Sequence, residues 1–422
     1  MATLLMVESW VQSTGLALPP LLRELGHDYI LFTRDPGLYP DVDGERHPVL
    51  READEVIVVD TNDRAAMTGA VIGIVCRRRI DGVITTCDYY LDAVAELAKM
   101  LGLPGASPDI VRRAVRKDSV RTVLARAGLP GPRFAVAATW DDALAGAAEL
   151  GFPLVAKPVD LNSGTSVHLV DGEAALKDAF HEVTGVERNT RDQPLARRLL
   201  LEEVLRGPEV SVETVTAAGR TTVLGITGKS VTPAFVEAGH VFPAPLPPAV
   251  AAEVTEHVRA ALSALGISHG LSHTELRLTP SGPRIVEINP RQGGGYVFDL
   301  VRTVTGVSPL ALLVGLALGP APQPEVRPRG TAAVAFVLAP VDGIVTGVEG
   351  REALDQNPAI VRWQLDVPGP VRRPRDNNDR VGHVLAVDPD GDRAGELAAS
   401  AVGSLALRMA GGEVVTPQAI GV

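Results

Sequence analysis

The stretch that most constrains this chain runs over residues 273–295, H-T-E-L-R-L-T-P-S-G-P-R-I-V-E-I-N-P-R-Q-G-G-G. Residues 271–279 and 283–289 alternate apolar and polar positions, and Pro280, Ser281 and Gly282 between them supply turn chemistry, so the pair reads as a β-hairpin. A turn centred on Ser281 sets Glu275 opposite Glu287 and His273 opposite Asn289. With a side-chain period of two, all four then project from one face. Directly opposed like charges destabilise a sheet by about a few tenths of a kcal/mol, so the two carboxylates call for a cation between them. Carboxylate and amide oxygens suit Mg²⁺, which takes few protein groups and leaves its other positions to phosphate oxygens. Arg291, two residues past Asn289, adds a fixed positive charge beside such a phosphate. The alternative is a solvated sheet face on which each Glu pairs with Arg277 or Arg284. The matched register, the trailing Arg and the glycine triplet weigh against it.

At 422 residues the chain exceeds a single core, and two to four subdomains are expected. A net charge of -11 argues against a nucleic-acid partner, which requires a basic surface. Cys76 and Cys87 are the only two cysteines, too few for a disulfide framework or a thiolate zinc site, so a reducing cytoplasm is the expected compartment. The first residues lack the basic start of a signal peptide, and the longest apolar run, Pro309–Leu318, is too short to span a bilayer, so no membrane association is expected. Of 40 basic residues only five are lysines: Lys99, Lys117, Lys157, Lys177 and Lys229. Arginine serves as the ordinary surface cation here, which makes each lysine a candidate for a role needing a compact ammonium.

Taken in order, residues 2–101 alternate strand and helix patterns, the signature of a doubly wound parallel sheet. No G-x-G-x-x-G follows the first strand, so a dinucleotide site is not indicated, although residues 8–15 could line a crevice at the strand ends. Short helices follow over 107–127. An α+β segment then delivers Lys157 at the end of an apolar strand, where a lysine without an anion is costly. The loop after it carries Ser163, Gly164, Thr165 and Ser166, small residues that can point backbone N–H groups and hydroxyls at phosphates but are also ordinary turn chemistry. Residues 186–198 read as an exposed polar insertion. Strands at 199–205, 209–217 and 221–229 form an antiparallel meander, with Glu202, Glu203 and Glu209 around its first turn. Gly228-Lys229-Ser230 ends like a P-loop, but the required first glycine falls at Val223. His240 sits among apolar residues, as suited to a core position as to a ligand. A Pro-rich segment, 319–330, marks a boundary. Beyond it a small antiparallel α+β unit is expected, with strands at 332–338, 360–367 and 382–387 and a closing helix over 393–409.

These ordered motifs resemble the ATP-grasp superfamily, and within it the carboxylate–amine ligases of the L-amino acid ligase type, most strongly over residues 105–345. The resemblance implies an α/β and α+β ATP-grasp fold: an N-terminal Rossmann-like domain (1–104), a helical linker (105–130), a small lid (131–204), a large antiparallel-sheet subdomain (205–330) and a C-terminal α+β subdomain (331–422). It implies ATP as cofactor, with Lys117 and Lys157 on the α- and β-phosphates under the loop Ser163–Gly164–Thr165–Ser166, and Lys229 approaching from the large sheet. Glu202, Glu203, Val204 and Leu205 would run along the adenine and Glu209 would hold the ribose hydroxyls. Glu275, Glu287 and Asn289 would hold two Mg²⁺ ions, with Mn²⁺ as an alternative, and Arg291 would steady the transferring phosphoryl group. Gly293, Gly294 and Gly295 replace the Gln-Val-Glu-His-type segment expected of biotin carboxylases and leave N–H groups free for a substrate carboxylate. His240 and His273 lie where such ligases place substrate-facing residues. The implied reaction activates a small carboxylic acid as an acyl phosphate and joins it to an amine, giving ADP and phosphate. The partners implied are small-molecule carboxylate and amine substrates, and similar enzymes are often homodimers. A biotin- or purine-type carboxylase or ligase, and a catalytically silent nucleotide-binding module, are the competing readings.

Overall fold

A computed structural model describes residues 1–319 and 323–418. Four parallel strands open the chain, in the order Glu55–Val58, Asp28–Thr33, Thr3–Val7, Gly82–Ile84. Thr3–Val7 is apolar at every position after the first because both faces of the sheet are covered. Leu4 and Met6 pack towards Phe298, Leu310 and Val314, whereas Leu5 and Val7 pack towards Met67, Val71 and Leu97. The apolar run Pro309–Leu318 is thus a core helix wedged under this sheet. Among the described residues no single helix is long and apolar enough to cross a membrane.

At the carboxyl ends of these strands a later segment of the chain crosses over the sheet. Residues 186–198 are mostly exposed, as expected, but the insertion is anchored, because Arg191, 5% exposed, reaches over the sheet and donates Nη2 to the Ser9 carbonyl at 2.7 Å. Its own carbonyl accepts from Asn62 Nδ2 at 2.9 Å. Beneath it Glu8 accepts from the Tyr39 hydroxyl (2.5 Å) and Thr61 Oγ1 (2.9 Å). Burying a carboxylate and a guanidinium demands partners for both, and each supplies part of the other's surroundings.

A second, antiparallel sheet runs Phe134–Ala137, Leu199–Glu203, Leu154–Pro158, His168–Val170, backed by helices Trp140–Leu150 and Glu173–Gly185. The first of these helices starts at a capping box in which Thr139 and Asp142 satisfy each other's backbone N–H.

The third sheet has eight strands: Gly282–Asn289, Gly270–Thr279, Glu209–Ala217, Arg220–Val231, Glu237–Phe242, Thr331–Phe336, Gly382–Asp388 and Ile360–Leu365. The tail therefore does not form a self-contained unit past the Pro-rich segment, part of which lies outside the described residues. Thr331–Phe336 is buried from Ala332 onward and pairs with Glu237–Phe242, extending the large sheet instead of leaving that edge open. A further small sheet, Gly369–Val371, Gly343–Glu349, Ala406–Met409 and Val414–Val415, packs beside it. The expected closing helix ends at Gly403, because Leu405, Leu407 and Met409 bury alternate side chains with a strand's period of two.

The hairpin shows the expected pairing, His273 with Asn289 and Glu275 with Glu287, by a different route. The turn is the two-residue Pro280–Ser281, closed by Thr279 opposite Gly282, which places the first rungs one residue out of step. A bulge at Val286 restores the register before Glu287 is reached.

Candidate active site

A cavity of about 320 Å³ opens between the second sheet and the large sheet, and it gathers the sequence candidates from distant parts of the chain. Lys117 and Lys157 line it, as do Ser163, Gly164 and Thr165 of the loop and the segment Glu202, Glu203, Val204, Leu205. From the large sheet come Glu209, Lys229, His240, His273, Glu275, Glu287 and Asn289, and beyond it Arg291, Gly294 and Gly295.

Two candidates fall outside. Left-handed backbone at Ser163 (φ 59°), Gly164 (φ 72°) and Ser166 (φ 55°) folds the loop back, so that Thr165 and Val167 line the cavity and Ser166 does not. Gly293 lies one layer deeper, where a Cβ would stand 2.9 Å from Glu213 Oε2 and from Val297, so its lack of a side chain serves packing. Gly295 does face the cavity, in left-handed backbone (φ 54°), and a Cβ there would meet His240 Nε2 at 2.8 Å.

On the wall formed by the smaller sheet, Glu202 is shared between Arg121 (Nε, 2.5 Å) and Lys157 (Nζ, 2.7 Å). Burial alone would raise the Glu202 carboxyl, but Arg121 and Lys157 together hold it at about 2. Burial pushes the Lys157 ammonium down, with Arg121 and Lys117 adding to the push and Glu202 opposing it. The Glu203 side chain turns outward to Arg133 Nε at 3.0 Å. With both acids paired, it is the backbone from Glu203 to Leu205 that can offer hydrogen bonds to a planar base.

The opposite wall carries the reverse pattern. Lys229, 7% exposed, meets Glu275 at 2.5 Å, Glu237 at 2.6 Å and Glu209 at 3.2 Å. Burial would lower its ammonium, yet the three carboxylates hold it well above the ordinary lysine range. Each carboxylate has a second cation: Arg277 on Glu209 (2.7 Å), Arg380 on Glu237 (2.6 Å) and His273 on Glu275 (3.1 Å). His273 also bonds Glu213 through Nδ1 at 2.8 Å, and these acids outweigh burial and raise its imidazole to about 9. Burial lowers His240, whose Nδ1 is enclosed without a hydrogen-bond partner. Lys117 Nζ lies 2.9 Å from Glu287, and Arg291 Nε lies 2.5 Å from Asp88.

Among the described residues no group of three or more His, Cys, Asp or Glu side chains is arranged to hold a metal ion. Glu275, Glu287 and Asn289 are nonetheless hard oxygen donors on adjacent strands facing one cavity. Such a partial set suits Mg²⁺ completed by phosphate oxygens, not an ion caged by protein alone.

The structure adds Arg121, Glu237, Arg380 and Asp88 to the site. Arg121 follows Lys117 by four residues on the helix Lys117–Arg126, a same-face spacing readable in the sequence. Glu237 shares a face with His240 only because the pairing shifts by one residue between them, and Arg380 arrives from the tail. Neither leaves a local signal.

Residues 23–105 match the ATP-grasp N-terminal domain family, 150–299 the ATP-grasp domain family and 335–410 the L-amino acid ligase C-terminal domain 2 family. An uncharacterised protein of Sinorhizobium fredii is 29% identical over 404 residues, 95% of this chain and 82% of that protein. Carnosine synthase 1 of Gallus gallus is 32% identical over 284 residues, 62% of this chain but only 30% of the longer enzyme. The crystal structure of an L-amino acid ligase from Bacillus licheniformis superposes with a TM-score of 0.79, covering 96% of this chain and 98% of that one at 24% identity.

Proposed function

We propose that this chain, which belongs to the ATP-grasp superfamily and carries an L-amino acid ligase-type C-terminal domain, is an ATP-dependent ligase that joins a small carboxylic acid, an amino acid by preference, to an amine. The observation that carries the proposal is the facing of Lys157 and the small-residue loop on one wall by Glu275, Glu287 and Asn289 on the other, across a single cavity.

The γ-phosphoryl group of ATP passes to the substrate carboxylate, giving an acyl phosphate and ADP. The amine nitrogen then attacks the acyl carbon, and the amide forms as phosphate leaves. Glu275, Glu287 and Asn289 would hold Mg²⁺, as two ions, and the metal would supply charge neutralisation on the phosphate oxygens. Lys157 and Lys117 offer ammonium groups to the inner phosphates, and the backbone from Glu203 to Leu205 receives the base. Arg291 faces the transferring group. The loop Ser163–Gly164–Thr165 covers the phosphates and keeps water from the acyl phosphate. Gly294 and Gly295 let the chain approach the substrate closely below His240. Two free cysteines, Cys76 and Cys87, accord with a reducing compartment, and we place the enzyme in the cytoplasm.

The test is a phosphate-release screen with ATP, Mg²⁺ and amino acids singly and in pairs, with product masses recorded. An amide product is expected. Glu287→Gln, which removes charge at constant volume, is expected to lower turnover by about 10²- to 10³-fold, the usual loss for one group that stabilises transition-state charge. Full activity in that variant, or phosphate release stimulated by bicarbonate with no amine present, would overturn the assignment.

A further inference from the structure

Three parts of the chain meet on a carboxylate to which the ligase reading gives no role. Asp88 opens the short 3-10 turn Asp88–Tyr90 just past the last parallel strand, and its side chain is 13% exposed. Its Oδ1 lies 2.5 Å from Nε of Arg291 and accepts from Trp10 Nε1 at 3.2 Å. Its Oδ2 accepts from Asn162 Nδ2 at 3.3 Å, and Asn162 heads the small-residue loop Ser163–Gly164–Thr165 that lines the cavity. The neighbouring Tyr89 donates its hydroxyl to Asn162 Oδ1 at 3.1 Å, so the loop is held to the N-terminal unit at two points.

Arg291 is tied a second time, donating Nη1 to the Gln292 carbonyl at 2.7 Å. A guanidinium ion-paired with Asp88 beside Nε and hydrogen-bonded through Nη1 has lost much of its rotamer freedom and presents one remaining edge, Nη2. Its direction is set by Asp88. The same carboxylate touches the loop, through Asn162 Nδ2 on Oδ2, a contact that a lifted loop would break. Loop closure and guanidinium orientation are therefore joined through two oxygens of one side chain.

We propose that Asp88 is a positioning residue, which aligns Arg291 for phosphoryl transfer when, and only when, the loop headed by Asn162 has closed. The proposal rests on the ligase reading above. Its physical content is that a reactive acyl phosphate forms only under a closed loop, where water is excluded and the amine can compete.

Asp88→Asn keeps the shape of the side chain and removes the charge that holds Arg291. Amide formation is expected to lose about 10- to 100-fold in kcat, the scale of a misplacement of about 1 Å, with KM for ATP unchanged within about threefold. Phosphate released per amide formed rises above the wild-type ratio, because activation and closure no longer coincide. Asn162→Ala gives the same uncoupling, and the double variant is no worse than the poorer single one, since both act through one bridge. A lower Tm with kcat, KM and the phosphate-to-amide ratio unchanged would show a purely structural residue and overturn the proposal, as would additive losses in the double variant. Should the wild-type protein make no amide from any pair of substrates, the ligase reading fails first. The bridge is then read by hydrogen exchange, where Asp88→Asn is expected to speed exchange in residues 160–167 and 289–293 together. Exchange unchanged in either segment removes the link.

Discussion

Lys157 and Lys229 face the same cavity from opposite walls, are equally buried at 5% and 7%, and have opposite electrostatic surroundings. Lys157 shares its one carboxylate with Arg121, so two cations divide a single negative charge. Lys229 has three carboxylates at its ammonium, and each is balanced by a further cation: Arg277 and Arg380 on the second oxygens of Glu209 and Glu237, and His273 on the same oxygen of Glu275. Burial pushes both lysines down, and only the number of nearby anions decides the outcome. The difference teaches that the Lys229 ammonium is already neutralised by the protein's own carboxylates, whereas the Lys157 wall is short of an anion. Sequence resemblance sends both lysines to the phosphates. The geometry leaves Lys157 short of an anion and ties Lys229 to Glu209, Glu237 and Glu275.

The largest way to break this contrast is Lys229→Met. It leaves three buried carboxylates facing one another, and removing one partner of a buried ion pair typically costs about 3–5 kcal/mol. A fall in unfolding free energy of that size is expected in urea titrations at pH 7, and a loss below about 1 kcal/mol would mean that the carboxylates relax without Lys229. Lys157→Met should behave differently. Glu202 keeps Arg121 at 2.5 Å, so the fold should lose no more than about 1 kcal/mol. The nucleotide, however, loses a charge-assisted hydrogen bond of about 1.5–3 kcal/mol, which calorimetry should read as roughly 10- to 100-fold weaker binding of ATP. An unchanged Kd would take Lys157 out of the nucleotide site and remove half of the comparison.

How much of this was readable beforehand follows from where each constraint is encoded. The parallel sheet and the hairpin are written locally, as alternation and turn residues, and Glu275 opposite Glu287 could be derived from residues a dozen apart. The pair forms through a turn one residue shorter than the alternation predicts, because a bulge such as that at Val286 depends on packing and leaves no mark in the alternation. The tail departs from its sequence pattern for a related reason. Proline-rich segments punctuate a chain, but Thr331–Phe336 pairs with Glu237–Phe242 across some 90 residues, and strand partners at that distance are chosen by buried faces. Arg191 shows the same limit from the other side. A polar stretch reads as solvated unless one knows that Glu8, Tyr39 and Ser9 wait beneath it. In the site, the lysines stood out because arginine replaces them elsewhere. Asp88, Glu237 and Arg380 are ordinary charges until three separate segments bring them together.

The smallest expected effect sharpens the contrast through pH. His273 belongs to the Lys229 wall, bonded to Glu213 at 2.8 Å and Glu275 at 3.1 Å, with its folded pKa raised from 6.5 to about 9. A raised pKa means that the folded chain binds the proton more tightly than the unfolded one. The stabilisation it brings is therefore fully present below about pH 6.5, declines as pH rises, and is lost above about pH 9. One proton changes stability by at most about 1.4 kcal/mol per pH unit, so the unfolding free energy should slope downward by no more than this between the two values. His273→Gln removes the titrating proton, lowers stability at neutral pH and flattens that slope. The Lys157 wall contributes no histidine to this network, so Lys157→Met should leave the slope as it is in the wild type. A wild-type profile already flat from pH 6.5 to 9 would mean that Glu213 and Glu275 do not hold His273 charged, and the Lys229 wall would lose one of the cations that balance it.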